Sequence, residues 1–218
     1  MAKKKTISRD FIVEKYMDYV LEHNEDPKSV YKFSKDNNFE EQLFYKEFAS
    51  FEALKESVFT SFIENTLTLL HKSDHFDNYD ARNQLLSFYF TFFEILTANR
   101  SYVVYALADH KKNLQSLKQL KGLRTHFKAF IDNLDINRLD LKQEKLEKLQ
   151  DKAISESAWA QLLVSIKFWL GDTSSSFEKT DLFIEKSINT GFDLINTEYI
   201  KSVIDLGKFL FKEKLSMS

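Results

Sequence analysis

Hydrophobic residues recur with helical spacing over most of the chain. The first stripe, in residues 10–23, has a period of ~3.6 residues and predicts an amphipathic helix. Its members are Phe11, Ile12, Tyr16, Tyr19 and Val20. Pro27 ends this helix, because proline lacks a backbone N–H and disfavours helix in the residue before it. Two shorter helices follow at residues 28–36 and 39–48, and the brief turn between them is typical of a helix-turn-helix.

Longer helices occupy the rest of the chain. The pattern predicts them at residues 51–71, 79–98, 102–108, 113–134, 154–170, 177–196 and 199–215. Ser50 is a candidate N-cap for the first of them, although alanine stands where a capping box has glutamate. The clearest turn is Gly171-Asp172 followed by residues 173–176, a glycine stop and then several hydroxyl N-caps. The pattern therefore predicts an all-α fold.

The composition narrows the choice of fold and compartment. Four glycines and one proline leave few tight turns for a β or α/β fold. The absence of cysteine excludes disulfides, thiolate metal sites and a thiol nucleophile, and it fits a reducing cytoplasm. The basic N-terminal residues lack the apolar stretch of a secretory signal, and no segment reaches the ~20 apolar residues of a membrane-spanning helix. We therefore expect a cytoplasmic protein.

A specific motif lies in the N-terminal part of the chain. It consists of Ser29, Phe33, Ser34, Asn38, Tyr45, Phe48, Ser50 and Leu54. With the order of the helices, these residues resemble the TetR family of bacterial transcriptional regulators. The sequence pattern of that family has a threonine, then Ile-Ala, then a glycine in a turn, and then Tyr-x-x-Phe-x-Ser-Lys-x-x-Leu. Ser29 stands at the threonine and Asn38 at the glycine, where asparagine tolerates a left-handed backbone, whereas Phe51 replaces the lysine.

The resemblance implies a two-part, TetR-like architecture. Residues 1–50 would form a three-helix helix-turn-helix domain, and residues 51–218 a helical bundle that binds a ligand and dimerises. In a helix-turn-helix, the first residues of the recognition helix reach base edges in the major groove. The residues expected at operator DNA are Ser29, Gln42, Leu43, Tyr45 and Lys46, and Lys3, Lys4 and Lys5 would add a basic arm.

The net charge of the N-terminal segment that would bind DNA favours a different function. Residues 6–57 contain seven basic and twelve acidic side chains, a net charge of −5. Because DNA affinity derives largely from neutralising phosphates, Glu40 and Glu41 weaken the DNA hypothesis, and Phe51 removes one more cation. A branch of TetR-like folds binds lipids and has abandoned DNA. A lipid- or isoprenoid-binding accessory protein is therefore the alternative function.

The predicted C-terminal helix fits that alternative. Its apolar residues are interleaved with lysines, as in helices that lie at a membrane surface. The apolar residues are Ile200, Val203, Ile204, Phe209, Leu210 and Phe211, and the lysines are Lys201, Lys208, Lys212 and Lys214. The same pattern is also typical of a helix that packs its apolar face on the body of a globular protein. Both interpretations stay open.

An aromatic stretch at residues 85–96 is a candidate ligand pocket. It is apolar on nearly every side, and such a helix is buried. In TetR-like proteins this region lines a ligand cavity, and cavities for hydrophobic ligands are apolar with a few polar groups. The candidate lining is Phe88, Tyr89, Phe92, Tyr102, Tyr105 and His126. The alternative is that these rings fill a core.

The last two predicted helices before residue 196 are candidates for a homodimer interface. TetR proteins dimerise through such a pair, and a four-helix seam fits a two-fold dimer. The candidate residues are Trp159, Leu163, Ile166 and Phe183. Aromatic residues are enriched at interface cores, although burial within one subunit would give the same pattern.

No arrangement of residues in the sequence suggests catalysis. His71 and His75 are four residues apart and would share a metal only on an intact helix, but Ser73-Asp74 indicates a helix end. The sequence also lacks a glycine-rich phosphate loop and a nucleophile elbow. We therefore expect a protein that is not an enzyme and holds no cofactor or metal. Its expected function is a ligand-responsive transcriptional regulator that binds operator DNA and a hydrophobic small molecule.

Overall fold

The computed structural model describes residues 7–107, 117–136 and 144–195, together with Leu206 and Phe209. Within these ranges the chain forms nine α-helices and no β-strand, which confirms the predicted all-α fold. The helices are α1 (Arg9–His23), α2 (Val30–Asp36), α3 (Glu41–Glu47), α4 (Phe51–His71), α5 (Ala81–Ala98), α6 (Arg100–Leu107), α7 (Lys121–Asn133), α8 (Glu144–Gly171) and α9 (Glu178–Ile195). Single turns of 3₁₀-helix lie at Phe76–Asn78 and Ser175–Phe177.

Serine side chains begin three of the N-terminal helices. The Ser8 hydroxyl accepts a hydrogen bond from the Phe11 N–H at 3.2 Å, and the Ser29 hydroxyl accepts one from the Lys32 N–H at 3.2 Å. The Ser50 hydroxyl accepts a hydrogen bond from the backbone three residues later, at 3.3 Å. Each bond satisfies a backbone donor that the helix itself leaves open. The Ser50 prediction is therefore confirmed.

One helix is longer than the sequence pattern predicts. Helix α8 begins at Glu144, whereas the pattern placed its start at residue 154. The added turns are solvated and carry a Lys148–Glu144 ion pair at 2.6 Å, a spacing that supports an exposed helix. Leu149 is 62% exposed, so these turns lack the buried stripe on which the prediction depended. The predicted helix at 199–215 lies outside the described residues, except for Leu206 and Phe209.

The chain divides into two compact units. The first unit comprises Met1–Leu70 and Thr91–Phe127, and the second comprises His71–Phe90 and Lys128–Ser218. The boundaries fall at the last residue of α4 and within α5 and α7. The division after residue 50 that the sequence suggests is a division by function, and it stays a prediction.

An aromatic cluster centred on Phe51 holds the first unit together. The Phe51 ring stacks on Tyr16 at 5.8 Å and meets Phe33 at 5.6 Å and Phe44 at 5.2 Å, between ring centroids. These rings belong to α4, α1, α2 and α3 respectively, and such pairs add to the stability that burial provides. The position where the TetR pattern has a lysine is thus used for core packing in this chain.

A glycine lets α7 approach α4 closely in the first unit. A Cβ atom built on Gly122 would lie 2.0 Å from the Thr60 Oγ1 and 3.2 Å from the Thr60 Cβ. No side chain fits this space without movement of one of the two helices or of Thr60. The absence of a side chain at Gly122 is therefore a requirement of the packing.

A buried carboxylate organises the turn between α8 and α9 in the second unit. Asp172 is 8% exposed, and it accepts hydrogen bonds from the backbone and hydroxyl of Ser174, at 2.8 and 2.7 Å. It also accepts from the backbone and hydroxyl of Thr180, at 2.9 and 2.7 Å. These bonds from Ser174 and Thr180 lower the pKa of Asp172 well below its usual range. Between Ser174 and Thr180, Ser176 and Phe177 adopt the left-handed region, with φ of 51° and 60°.

Candidate functional site

The turn between α2 and α3 has the geometry that the sequence motif requires. Asn38 adopts a left-handed backbone with φ of 57°. The N–H of Phe39 donates to the carbonyl of Ser34 at 3.0 Å, which closes the turn. Glycine is the usual residue at such a position, and asparagine is a tolerated substitute. The assignment of Asn38 to the glycine position of the motif is thereby confirmed.

Four of the five predicted DNA-contacting residues are exposed. Gln42, Tyr45 and Lys46 lie on the solvent side of α3, and 53% of Tyr45 is accessible. Leu43 is half-buried. Ser29 is exposed at the start of α2, where its hydroxyl is engaged as the N-cap. The structure therefore leaves these residues accessible to a partner, and their contact with DNA stays a prediction.

The charges of the N-terminal helices are segregated. Between residues 28 and 47, which hold α2 and α3, four lysines accompany four carboxylates. The lysines are Lys28, Lys32, Lys35 and Lys46, and all four are exposed. Residues 7–27 instead hold six acidic and two basic side chains. The negative net charge of the whole segment thus comes largely from α1 and the turn after it, whereas the charges of α2 and α3 balance.

The acidic residues of α1 form a stripe on its exposed face. Asp10, Glu14, Asp18 and Glu22 recur at every fourth residue, and each is exposed. Lys15 partly neutralises this stripe, because its ammonium lies 2.8 Å from the Asp18 carboxylate and 3.6 Å from that of Glu14. Negative charge on α1 is therefore directed to solvent and away from the buried face of that helix.

The six predicted pocket residues are divided between the two compact units. Phe88 and Tyr89 belong to the second unit, where both are fully buried and Phe88 stacks on Phe130 at 4.9 Å. Phe92, Tyr102, Tyr105 and His126 belong to the first unit. Phe92 and Tyr102 are buried there, whereas Tyr105 and His126 are partly exposed. The described contacts are those of packed rings, and a pocket lined by these residues stays a prediction.

A carboxylate that the sequence pattern did not single out lies beside two of the tyrosines. Asp26, between α1 and α2, accepts from the Tyr16 hydroxyl at 2.7 Å and from the Lys55 ammonium at 2.5 Å. Burial, followed by the charge of Asp26, raises the pKa of Tyr105 to about 12. The only sequence signal for this group was an acidic residue next to Pro27.

An open groove lies on the hairpin of α8 and α9 in the second unit. Its volume is about 430 Å³. It is lined by Val164, Lys167, Phe168, Gly171, Asp172, Thr173, Lys179 and Phe183. The rings of Phe168 and Phe183 are nearly parallel, with centroids 4.6 Å apart. None of the six predicted pocket residues contributes to this groove.

The predicted interface residues lie on the same hairpin. Trp159, Leu163 and Phe183 are partly exposed, whereas Ile166 is 4% exposed and is thus already covered within the protomer. Further large apolar side chains are exposed on the same hairpin. They are Val164, Phe168 and Leu182, with 51%, 39% and 49% of their surface accessible. The hairpin therefore presents an apolar surface around Phe183.

The described residues offer no group of three or more histidine and carboxylate side chains arranged to hold a metal ion. His71 pairs with Asp77 at 3.1 Å, in the segment that the sequence had suggested as a helix end. Within the same described ranges, no helix is both long and apolar enough to cross a membrane.

Comparison with protein families identifies the C-terminal part of the chain. The model of the tetracyclin repressor-like C-terminal domain matches residues 84–210, which is more than half of the 218 residues. The chain therefore belongs to the TetR family of regulators, as the N-terminal motif indicated. No curated protein matches the chain.

Proposed function

We propose that this protein is a cytoplasmic, ligand-responsive transcriptional regulator that binds operator DNA through α2 and α3. The observation that supports DNA binding best is the exposure of Lys32, Lys35 and Lys46 on these helices, which balances part of their negative charge. In a helix-turn-helix, α3 would enter the major groove and α2 would cross the phosphate backbone. Lysines placed there neutralise phosphates and release counterions.

Each predicted contact residue has a distinct role in this proposal. Tyr45 and Lys46 would hold phosphates, whereas Ser29 and Gln42 would lie near the groove with Leu43 beside them. Glu40 and Glu41 would each need a cytosine amino group as a partner. Lys3–Lys5 would extend the phosphate contacts, but they lie outside the described residues.

The partner on the α8–α9 hairpin would be a second copy of the chain. Exposed Val164, Phe168 and Leu182 surround the predicted interface residue Phe183 and supply the apolar area that a dimer buries. On α9, Glu178 and Glu185 flank Leu182, while Lys179 and Lys186 flank Phe183. This arrangement of opposite charges is self-complementary across a two-fold axis.

A hydrophobic small molecule would control the regulator. We place it against the aromatic residues of the C-terminal body, including Phe88, Tyr89 and Phe92, where packed rings would have to part to admit it. Operator half-sites lie ~34–36 Å apart. A ligand that favours another spacing of the two helix-turn-helix segments of the dimer therefore releases the DNA. TetR-family regulators are generally non-enzymatic, and we propose no reaction for this chain.

DNA binding is tested by measuring which genomic DNA fragments the protein retains at increasing salt concentrations and by sequencing the retained fragments. Enriched palindromic fragments whose retention falls steeply with salt are expected, because counterion release makes phosphate binding salt-dependent. Lys46→Glu and Tyr45→Phe should weaken retention of an enriched fragment, whereas the control Lys72→Glu, on an exposed residue outside α2 and α3, should not. Absence of retention even at low salt would refute DNA binding.

A second function has one observation in its favour. Leu206 and Phe209 are helical, with 58% and 59% of their surface exposed, in the segment predicted to form an amphipathic helix. Exposed apolar residues among lysines suit a helix that inserts into a lipid interface. The alternative proposal is therefore a lipid- or isoprenoid-binding accessory protein of TetR-like fold that binds no DNA.

The two functions predict different copurifying partners. The alternative predicts lipid or isoprenoid in the purified protein and binding to anionic liposomes that is lost on truncation after Asn196. A double substitution, Leu206→Ser with Phe209→Ser, should reduce liposome binding in the full chain if these side chains insert. A protein that purifies empty and ignores liposomes would exclude the alternative.

A further inference from the structure

The first turn of α1 contacts the residues on either side of α3. The guanidinium of Arg9 lies over the ring of Phe48, 4.6 Å from the ring centroid. Phe48 is the C-cap residue of α3 and is only 3% exposed, so Arg9 covers a ring that belongs to the core. Two residues further along α1, the Phe11 ring meets that of Phe39, which precedes α3, at 6.3 Å between centroids. The start of α1 is therefore held against α3.

The positive charge of Arg9 is available to a partner. Arg9 is exposed, and in the part of the chain that the structure describes its guanidinium has no hydrogen-bond acceptor and no carboxylate at ion-pair distance. Asp10 and Glu47 are adjacent in sequence to Arg9 and to its ring partner, yet neither pairs with the guanidinium. Lys15, further along α1, is instead neutralised by Asp18 at 2.8 Å.

A guanidinium held in this way is suited to binding a phosphate. Contact with the ring restrains a long side chain before a ligand arrives, which reduces the conformational freedom that binding would remove. Arginine presents N–H donors in a planar fork that matches two oxygens of one phosphate group. Phe48 follows Lys46 by two residues, so Arg9 lies at the same end of α3 as the exposed side chains of Tyr45 and Lys46.

We propose that Arg9 is a phosphate-binding residue of the DNA interface, and that it contacts the same stretch of sugar-phosphate backbone as Tyr45 and Lys46. The proposal rests on the proposed function of DNA binding, and it adds a contact from α1 to those expected from α2 and α3. A contact of this kind fixes the position of the protein on the duplex and carries no sequence information.

The test measures binding of the full chain to a fluorescein-labelled DNA duplex of mixed sequence, by fluorescence anisotropy at increasing concentrations of KCl. Phosphate contacts are independent of sequence, so the operator need not be known. Arg9→Gln should weaken binding about tenfold at low salt. It should also reduce the steepness of log K against log[KCl] by about 0.9 for each bound protomer, because one phosphate contact is lost.

Lys15→Gln is the matched control, since it removes a cation from the same helix, but one that is already paired with Asp18. It should leave the salt dependence unchanged. Arg9→Lys keeps the charge without the planar fork, so it should retain the salt dependence and lose affinity several-fold. Arg9→Met keeps an apolar side chain over Phe48 and removes the charge. It should behave as Arg9→Gln does, and it replaces that variant if circular dichroism shows Arg9→Gln to be misfolded.

The salt dependence separates a phosphate contact from a purely structural role of Arg9. If Arg9 only packs on Phe48, its substitution weakens binding without changing the salt dependence, and that result would overturn the proposal. An equal change for Arg9→Gln and Lys15→Gln would also overturn it, because it would reflect the net charge of α1. If the unsubstituted chain binds no duplex at the lowest salt, the proposed function fails together with this contact. Normal binding that Arg9→Gln leaves unchanged would refute the role of Arg9 alone.

Discussion

Replacing Gly122 with alanine puts a methyl group into the contact between α7 and α4. The new Cβ would lie 2.0 Å from the Thr60 Oγ1, far inside any normal contact distance, and 3.2 Å from the Thr60 Cβ. Overpacking of this kind costs about 1–3 kcal/mol, and the short distance favours the upper end. Alanine regains about 1 kcal/mol of helix propensity. We therefore expect a net loss of about 2 kcal/mol of unfolding free energy, from these two opposing terms.

The matched control is Gly191→Ala in α9. A Cβ at Gly191 would meet nothing within 4 Å, so only the helix-propensity gain remains. For a chain of this size, about 1 kcal/mol corresponds to a change in Tm of roughly 2–4 °C. Thermal unfolding followed by circular dichroism should thus give a Tm about 4–8 °C lower for Gly122→Ala and about 2–4 °C higher for Gly191→Ala.

A double substitution tests the stated cause. Thr60→Ala removes the Oγ1 that the new methyl group meets, so Thr60→Ala with Gly122→Ala should be more stable than the sum of the single effects predicts. A coupling of about 2 kcal/mol is expected in this cycle, because the two residues are in contact. Equal Tm values for Gly122→Ala and Gly191→Ala would refute the close approach of α7 and α4 that the structure describes.

Three further predictions follow from other contacts. Asp172→Asn should lower the Tm at neutral pH more than the exposed control Glu178→Gln, and the difference should shrink progressively as the pH falls below ~4, since the stabilisation from the lowered pKa of Asp172 is complete above the pKa of the unfolded state and is lost as the pH falls towards that of the folded state. Phe51→Ala should cost about 2–4 kcal/mol in chemical denaturation, because a half-buried ring in a core cluster is lost; a cost under ~0.5 kcal/mol would mean that the position behaves as surface. Asp26→Asn should lower the pKa of Tyr105 from about 12 towards its ordinary value in an NMR titration of labelled tyrosine, and an unchanged value would leave burial as the sole cause.

The parts of the fold that the sequence predicted are those with local signals. The bounds of α4 agree with the pattern because an apolar stripe begins directly after the Ser50 cap. Asn38 was assigned to a left-handed turn from its place in a motif, and its backbone is left-handed. The start of α8 was placed too late, because its first turns are solvated and no apolar stripe marks them.

The candidate sites depend on contacts between residues that are far apart in the sequence. Asp26 and Lys55 are far apart in the chain, so no sequence spacing indicates that their side chains are in contact. Summing the charges of the N-terminal residues gave a net negative segment, whereas their exposure shows lysines on α2 and carboxylates on α1. Spacing also could not tell Ile166, which is covered within the protomer, from Val164, which is exposed.

The place of Phe51 in the aromatic cluster limits how this protein can evolve or be engineered. A family-like lysine at that position would lose the ring contacts with Tyr16, Phe33 and Phe44, so the substitution should destabilise the cluster unless those partners change as well. The neighbouring Ala49 is exposed and meets no such constraint. A variant selected for tighter binding to a polyanion should therefore acquire its new cation at Ala49, and a lysine at position 51 should be tolerated only together with smaller or polar residues around it.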